Sequence, residues 1–278
     1  MSLKITAIIV VCNEEDMVGP CLKSVIEVAD ELIVCHDGPC HNRTVEIAKQ
    51  FTDQVYVNEF RGAPETNVIK MLKHAKNDWI LRIDCDETLS EELIKRIKEL
   101  NEADNITHYC AIWKACYADE SIIAKKEAPA DRLFLFRKSA MKWIGIPHRI
   151  PVFEGEKVEI FENIEHRAKH QEYTLCELLT KKMWPFSKND ARIRVVYPLE
   201  TYGIDNVKTS LLKRDYLRHK YPLLVCFPLA LLSFVRALIG AFKSENIHLF
   251  FKGLKWSVAH FAYQLFLGYQ LFIANKER

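Results

Sequence analysis

Little in this chain is extreme, and each thing in short supply closes off a class. Nine Gly and ten Pro among 278 residues are too few for a collagen-like or low-complexity chain. No excess of charge is present: 39 Lys and Arg against 37 Asp and Glu leave +2, which excludes a generic basic nucleic-acid binder. With 49% hydrophobic and 27% charged residues the chain is not disordered. A membrane-crossing helix needs about 20 predominantly apolar residues, and no clean run of that kind occurs. The stretch Tyr221 to Gly240 carries Arg236 and two prolines, and Trp256 to Ala274 carries His260, Gln264 and Gln270. The nine cysteines are odd in number and irregular in spacing, so no disulfide framework is expected. Cys35-His36-Asp37-Gly38-Pro39-Cys40-His41 lacks the second ligand pair of a closed zinc site. Met1 to Lys4 leads straight into an apolar strand pattern, from which a cytoplasmic protein with reduced thiols is expected.

The near-neutral sum conceals a split. From Val207 to Arg278 there are 11 Lys or Arg and 3 Asp or Glu, or +8; residues 1 to 206 therefore carry 28 minus 34, or −6. Within the acidic part, short apolar runs alternate with helical periods. Ile5 to Val11, Glu31 to Cys35, Gln54 to Asn58 and Trp79 to Ile83 read as strands. Asn13 to Val28, capped by Asn13, reads as a helix, as do Thr44 to Phe51, Glu65 to Lys76 and a segment capped by Ser90. Such alternation predicts an α/β fold with a mostly parallel sheet flanked by helices. Ligands of these sheets bind at the carboxyl ends of the strands, which draws attention to the loops after Val11, Cys35 and Ile83. Thr107 to Tyr117 and Arg132 to Arg137 read as further strands among charged loops. From about Gln171 the pattern is helical, giving a domain over 1–170 and a helical region over 171–278.

The loop after Ile83 carries Asp84-Cys85-Asp86-Glu87. Two carboxylates so close repel unless a cation or proton intervenes. Mg²⁺ and Mn²⁺ favour carboxylate oxygens and commonly bridge protein to substrate phosphates. Alone, this pattern is a weak signal; at the end of a buried strand it gains weight. Cys85 needs only to fit the turn.

The pieces IIVVCNEE (8–15), CLKSV (21–25), ELIVCHDG (31–38), RTVEIA (43–48), Asn67 and DWILRIDCDETLSEEL (78–93), with RLFLFRK (132–138) and the His148 region, together resemble glycosyltransferase family 2. The resemblance covers roughly the first 170 residues. It implies a GT-A fold and an inverting, metal-dependent transfer of one sugar from a nucleotide-diphosphate sugar. By position, Val11, Cys12, Asn13 and Glu14 match the first nucleotide-binding loop. Asp37 matches the acid that holds the nucleobase or its ribose, and Asn67 and Cys85 fall in the same donor-binding segments. Asp84 matches the acid near the ribose, and Asp86, with Asp84 beside it, the ligand of Mg²⁺ or Mn²⁺. Arg132 and Arg137 are candidate phosphate or acceptor contacts.

An acceptor hydroxyl needs a general base within hydrogen-bond reach. Where a branch of the family has His-Glu, this chain has His148-Arg149, so Asp131 and Glu87, then Glu154, stand as candidates beside His148. The second loop also departs from the family's D-D-G-S-T-D-G-T, reading HDGPCHNRT, and Thr66 stands where an Arg is common. No Q-x-x-R-W of processive synthases occurs, so a single transfer per acceptor is expected. Two alternatives remain open: a degenerate glycosyltransferase serving as a nucleotide-binding or membrane scaffolding module, and a sugar nucleotidyltransferase.

Both apolar stretches of the helical region are framed by cations, among them Lys213, Arg214, Arg218, Lys220, Lys243, Lys252 and Lys255. Apolar and aromatic surface rimmed by Lys and Arg suits helices lying in an anionic bilayer interface. The expectation is peripheral attachment to the inner face of the cell membrane, where a glycan or lipid-linked acceptor for cell-envelope synthesis would be met. The plainer alternative is a helical hairpin packed on the catalytic domain or on a second subunit of an oligomer.

Overall fold

The computed structural model describes residues 2–103, 105–117, 130–142, 151–168, 174–196, 210–242 and 247–276. The chain divides into two compact units, Met1–His170 and Gln171–Arg278. His148 and Arg149 lie outside the described residues.

In the first unit, β1 (Ile5–Val11), β2 (Glu31–Asp37), β3 (Val55–Asn58) and β4 (Trp79–Leu81) are separated by α1 (Glu15–Val25), α2 (Thr44–Ala48) and α3 (Pro64–Met71). Then follow β5 (Glu87–Leu89), α4 (Glu91–Lys98), β6 (Ile106–Tyr117), β7 (Arg132–Arg137), β8 (Met141–Lys142), β9 (Val152–Phe153) and β10 (Glu156–Ala168). One eight-stranded sheet runs β3-β2-β1-β4-β7-β6-β10-β5. Its first four strands are mutually parallel. β7 is antiparallel to both β4 and β6, β10 is parallel to β6, and β5 is antiparallel to β10. β1 and β2 are covered on both faces, which is why Ile-Thr-Ala-Ile-Ile-Val-Val and Glu-Leu-Ile-Val-Cys-His read as continuous rather than alternating runs. One face packs Val18, Leu22, Leu93 and Ile97 from α1 and α4 against Ile9, Trp79, Leu81 and Phe134. The other packs Val68 and Met71 of α3 against Ile8, Ile33, Ile80 and Phe136.

Two local expectations change. Asn13 is not the cap of α1: its φ is +54°, and the helix starts at Glu15 after Glu14. The thirteen-residue β10 carries six charged side chains and is not among the strands the sequence predicts. Ser90 does cap α4, accepting from the Leu93 N–H at 3.2 Å.

The second unit holds a short helical turn, α5 (Leu175–Glu177), a π-helical turn over Leu178–Met183, α6 (Trp184–Val196), α7 (Ser210–Lys220), α8 (Pro222–Phe242) and α9 (Ile247–Lys276). A Cβ on Gly268 of α9 would lie 2.7 Å from the Cys226 Cβ of α8, so the two helices meet there at a distance only glycine permits. Phe234 faces Phe261 further along, which makes the pair antiparallel. Asp190 of α6 is buried with Arg194 on it at 2.7 Å and the Tyr263 hydroxyl donating to it. Among the described residues, no helix is long and apolar enough to cross a membrane.

Phe134 lies on β7 at the centre of the sheet and is fully buried. Phe134→Ala is expected to destabilise the first unit by about 3–5 kcal/mol, read as a lowered urea midpoint with an unchanged slope.

Candidate active site

The loops at the carboxyl ends of β1 and β2 are clasped together. The Asn13 N–H donates to His36 Nε2 at 3.1 Å, and the His41 N–H donates to the Asn13 side-chain oxygen at 2.7 Å. Because His36 Nε2 accepts, its proton sits on Nδ1, 2.7 Å from the Gly38 carbonyl. The positive φ of Asn13 is what turns its amide toward both partners. Glu14 closes the same loop by accepting from the Cys12 N–H at 3.0 Å. Val11, just before it, is a buried strand residue.

Asp37 is buried, and both its oxygens are engaged: by the N–H groups of Arg61 (2.6 Å) and Gly62 (2.7 Å) and by Asn67 Nδ2 (2.9 Å). Its carboxylate thereby fixes the loop that enters α3. Gly38 follows at φ +91°, and a Cβ there would come within 2.9 Å of Phe60. Asn67 is itself fully buried, joining Asp37 to Asn58.

The acidic turn after β4 is the densest cluster. The Asp84 N–H donates to Glu87 Oε2 at 2.8 Å, and the Glu87 N–H returns a bond to the Asp84 carbonyl at 2.9 Å. Arg132, at the head of β7, donates to Asp84 Oδ2 (2.9 Å), Glu87 Oε2 (2.7 Å) and Glu87 Oε1 (3.0 Å). Trp113 of β6 adds its indole N–H to Glu87 Oε1 at 2.8 Å. Arg82 approaches Asp84 Oδ1 at 3.5 Å. Burial opposes the charge on Arg132, but Glu87 and Asp84 outweigh it and raise its pKa. Asp86 points elsewhere, and its Oδ2 meets His166 Nε2 of β10 at 3.0 Å. That hydrogen bond raises the His166 pKa against the opposing effect of burial. Burial likewise raises the thiol pKa values of Cys21 and Cys85, which flank the turn as neutral packing.

Several expectations are redirected by this geometry. Glu87 is 1% exposed and accepts four hydrogen bonds, which uses the lone pairs of a carboxylate. It anchors Arg132 and is not placed to take a proton from an acceptor. Arg132 is held between two carboxylates. Arg137, at the far end of β7, lies over the Trp79 ring at 4.6 Å and bonds Glu102, away from the acidic turn. Asp131 is exposed, and its charge is felt by Cys110 and Lys157. Glu154 pairs with Lys142 at 2.6 Å. His36, Arg82, Trp113 and His166 join the site without having been singled out for it. His166 is 80 residues from Asp86 in sequence, and no local pattern announces it.

Among the described residues, no group of three His, Cys, Asp or Glu side chains is arranged to hold a metal by itself. Asp84 faces arginines, so Asp86 and His166 are the donors that a metal could use. A carboxylate suits Mg²⁺ or Mn²⁺ when substrate phosphates and water complete the shell, and the imidazole could join it only in its neutral form.

The family model for glycosyl transferase family 2 matches residues 6–165, which hold the site residues described above except His166, one position beyond its end. The chain belongs to that family. It is 35% identical over 112 residues to an uncharacterized glycosyltransferase of Rickettsia bellii, covering 40% of this chain and 37% of that protein. It is 36% identical over 109 residues to another from Rickettsia felis, covering 39% and 38%. The matched stretch thus spans less than two fifths of these relatives. Among solved structures, a mannosyltransferase from Pyrobaculum calidifontis in complex with GDP-Man and Mn²⁺ is similar at a TM-score of 0.45 and 12% identity, covering 100% of this chain and 87% of that one. Family 2 membership agrees with the mostly parallel, helix-flanked sheet described above.

Glu87→Ala would leave Arg132 and Trp113 facing a lost partner. Breaking a buried ion pair is strongly destabilising. A loss of about 3 kcal/mol is expected, at the low end of that range because Arg132 is partly exposed, measured by chemical denaturation.

Proposed function

We propose that this family 2 protein is a metal-dependent inverting glycosyltransferase that moves one sugar from a nucleotide-diphosphate donor to a glycan or lipid-linked acceptor in cell-envelope synthesis. The observation that carries this reading is the pairing of Asp86, in the turn after β4, with His166 of β10, in a sheet whose β1 and β2 end in the loops joined by Asn13 and His36. The clasped loops offer the nucleoside a preformed edge, with Cys12 exposed on it and Asp37 setting the depth of the pocket through Arg61 and Gly62. Asp86 and His166 orient the diphosphate end. When bound there, Mg²⁺ or Mn²⁺ would neutralise negative charge gathering on the departing diphosphate. Asp84 keeps its charge balanced by Arg132 and Arg82 and lines the ribose side. Asp131 and His148 stand as candidates for the general base.

The helical unit supports a membrane-surface role. Along α8, Leu223, Phe227, Leu231, Val235 and Ile239 recur every four residues and are all exposed, with Leu224 75% exposed beside them. Cys226 and Ala230 face inward. One helix face is therefore a continuous apolar stripe, bordered by Lys220 and Arg236 within a +8 segment. Such a helix lies in the headgroup region of an anionic leaflet, with each nearby cation adding about 1 kcal/mol.

Two outcomes are expected. UDP or GDP with Mn²⁺ should raise the melting temperature of the wild type, by about 2.7 kcal/mol of added stability at a hundredfold excess over Kd, and Asp86→Ala should lose that gain while melting normally alone. Absence of any shift in the wild type sinks the donor reading; an undiminished shift in Asp86→Ala sinks the role of Asp86. The protein should also sediment with phosphatidylglycerol vesicles, more weakly with phosphatidylcholine, and not when Leu224, Phe227 and Leu231 are changed to Glu.

A further inference from the structure

Trp113 occupies an unusual position for so large a side chain. Tyr109, Ala111 and Trp113 alternate onto one face of β6. Tyr109 and Ala111 are buried in the main core, and Trp113 is where that face emerges, 39% exposed. It is also held rigidly. Its N–H is tied to the buried Glu87, which is itself fixed by Arg132 and by the Asp84 backbone. Its ring centroid is 4.7 Å from that of His166, and His166 in turn reaches Asp86. The indole is thus one imidazole ring removed from the carboxylate proposed for the diphosphate end.

The topology says which side of Asp86 this is. The nucleotide-facing loops follow β1 and β2, in the parallel half of the sheet. Trp113 and His166 come from β6 and β10, in the other half. A flat aromatic face presented beyond the diphosphate end, away from the nucleoside, suits the C–H face of a sugar ring. Pyranose C–H groups carry slight positive charge, and the indole face is the negative part of its quadrupole. A ring locked in place before binding loses little side-chain freedom when a ligand stacks on it. The polar groups beside it match the rim of hydroxyls that a stacked sugar leaves uncovered, the usual make-up of a small-molecule site.

We propose that Trp113 is the stacking platform of an acceptor-sugar subsite, positioned by Glu87 and adjoining His166. The proposal rests on the glycosyltransferase reading above and adds to it the place and chemistry of acceptor recognition. Its test uses the full chain with saturating UDP or GDP and Mg²⁺, and saturation-transfer NMR with the methyl glycosides of glucose, galactose, mannose and N-acetylglucosamine. In the wild type, at least one glycoside should receive saturation, strongest on the C–H groups of one ring face. Trp113→Leu keeps apolar bulk without a flat ring and should weaken that glycoside's binding at least tenfold. Trp113→Phe also lacks the N–H to Glu87 but keeps a ring, and should retain most of the binding. Nucleoside diphosphate binding, followed by thermal shift, should be the same in all three. Glycoside binding that survives Trp113→Leu, that is lost equally in Trp113→Phe, or that no wild-type sample displays while the nucleotide binds, overturns the platform. Failure of the nucleotide itself to bind the wild type strikes the donor reading instead, so the two failures are told apart.

Discussion

The first unit's site depends on one buried carboxylate. Glu87 leads the short strand β5, pairs in register with His166 of β10, and accepts from the Asp84 backbone, Arg132 and Trp113. Its side chain thereby ties the acidic turn to β6 and β7, while its backbone pairs with β10. A buried charge is tolerable only when its lone pairs are satisfied. That requirement therefore dictates where Arg132 and Trp113 must sit. Anything done by Asp84 or Asp86 is done on a turn whose geometry Glu87 holds.

A second clasp does comparable work at the other strand ends. In place of the acid usual in the family's second loop, this chain has His36, a neutral ring with one donor and one acceptor. It therefore bonds the Asn13 N–H on one side and the Gly38 carbonyl on the other, where a carboxylate could only accept. Asn13 completes the link through the His41 N–H. The substitution is thus matched by local structure, and the left-handed conformation of Asn13 is the cost of making the match.

The parallel half of the sheet was legible in the sequence because its strands are apolar on both faces and its helices are short and periodic. Ile5–Val11 and Arg132–Arg137 run as read. β10 was not legible. Glu156–Ala168 places Val158, Ile160 and Ile164 among six charged side chains, and the register shift after Ile160 breaks the period of two that would identify a strand. The loss extends to the site, since His166 lies on that strand and Trp113 on its neighbour. The motif acids could be found because they are adjacent in sequence. Their partners could not, because pairing across 26 to 80 residues is decided by sheet order, which local patterns do not encode. Burial was equally hidden: nothing in Asp84-Cys85-Asp86-Glu87 says which acid turns inward.

Which acid turns inward decides where the negative charge is left. The turn holds three carboxylates, Asp84, Asp86 and Glu87, and two arginines, Arg132 and Arg82, reach into it. Both arginines approach Asp84, Arg132 also covers Glu87, and Arg82 is shared with Glu65, whereas the partner of Asp86 is His166. The hydrogen bond from Asp86 to His166 raises the pKa of that imidazole. A protonated His166 would balance that one carboxylate, whereas a divalent ion would leave one positive charge over for a phosphate. An ion arriving with a diphosphate would also bring the phosphate and water oxygens that the protein does not supply. Arginine thus pairs with Asp84 and Glu87, and Asp86 is left to His166. The same network holds Trp113, through Glu87 and against the His166 ring.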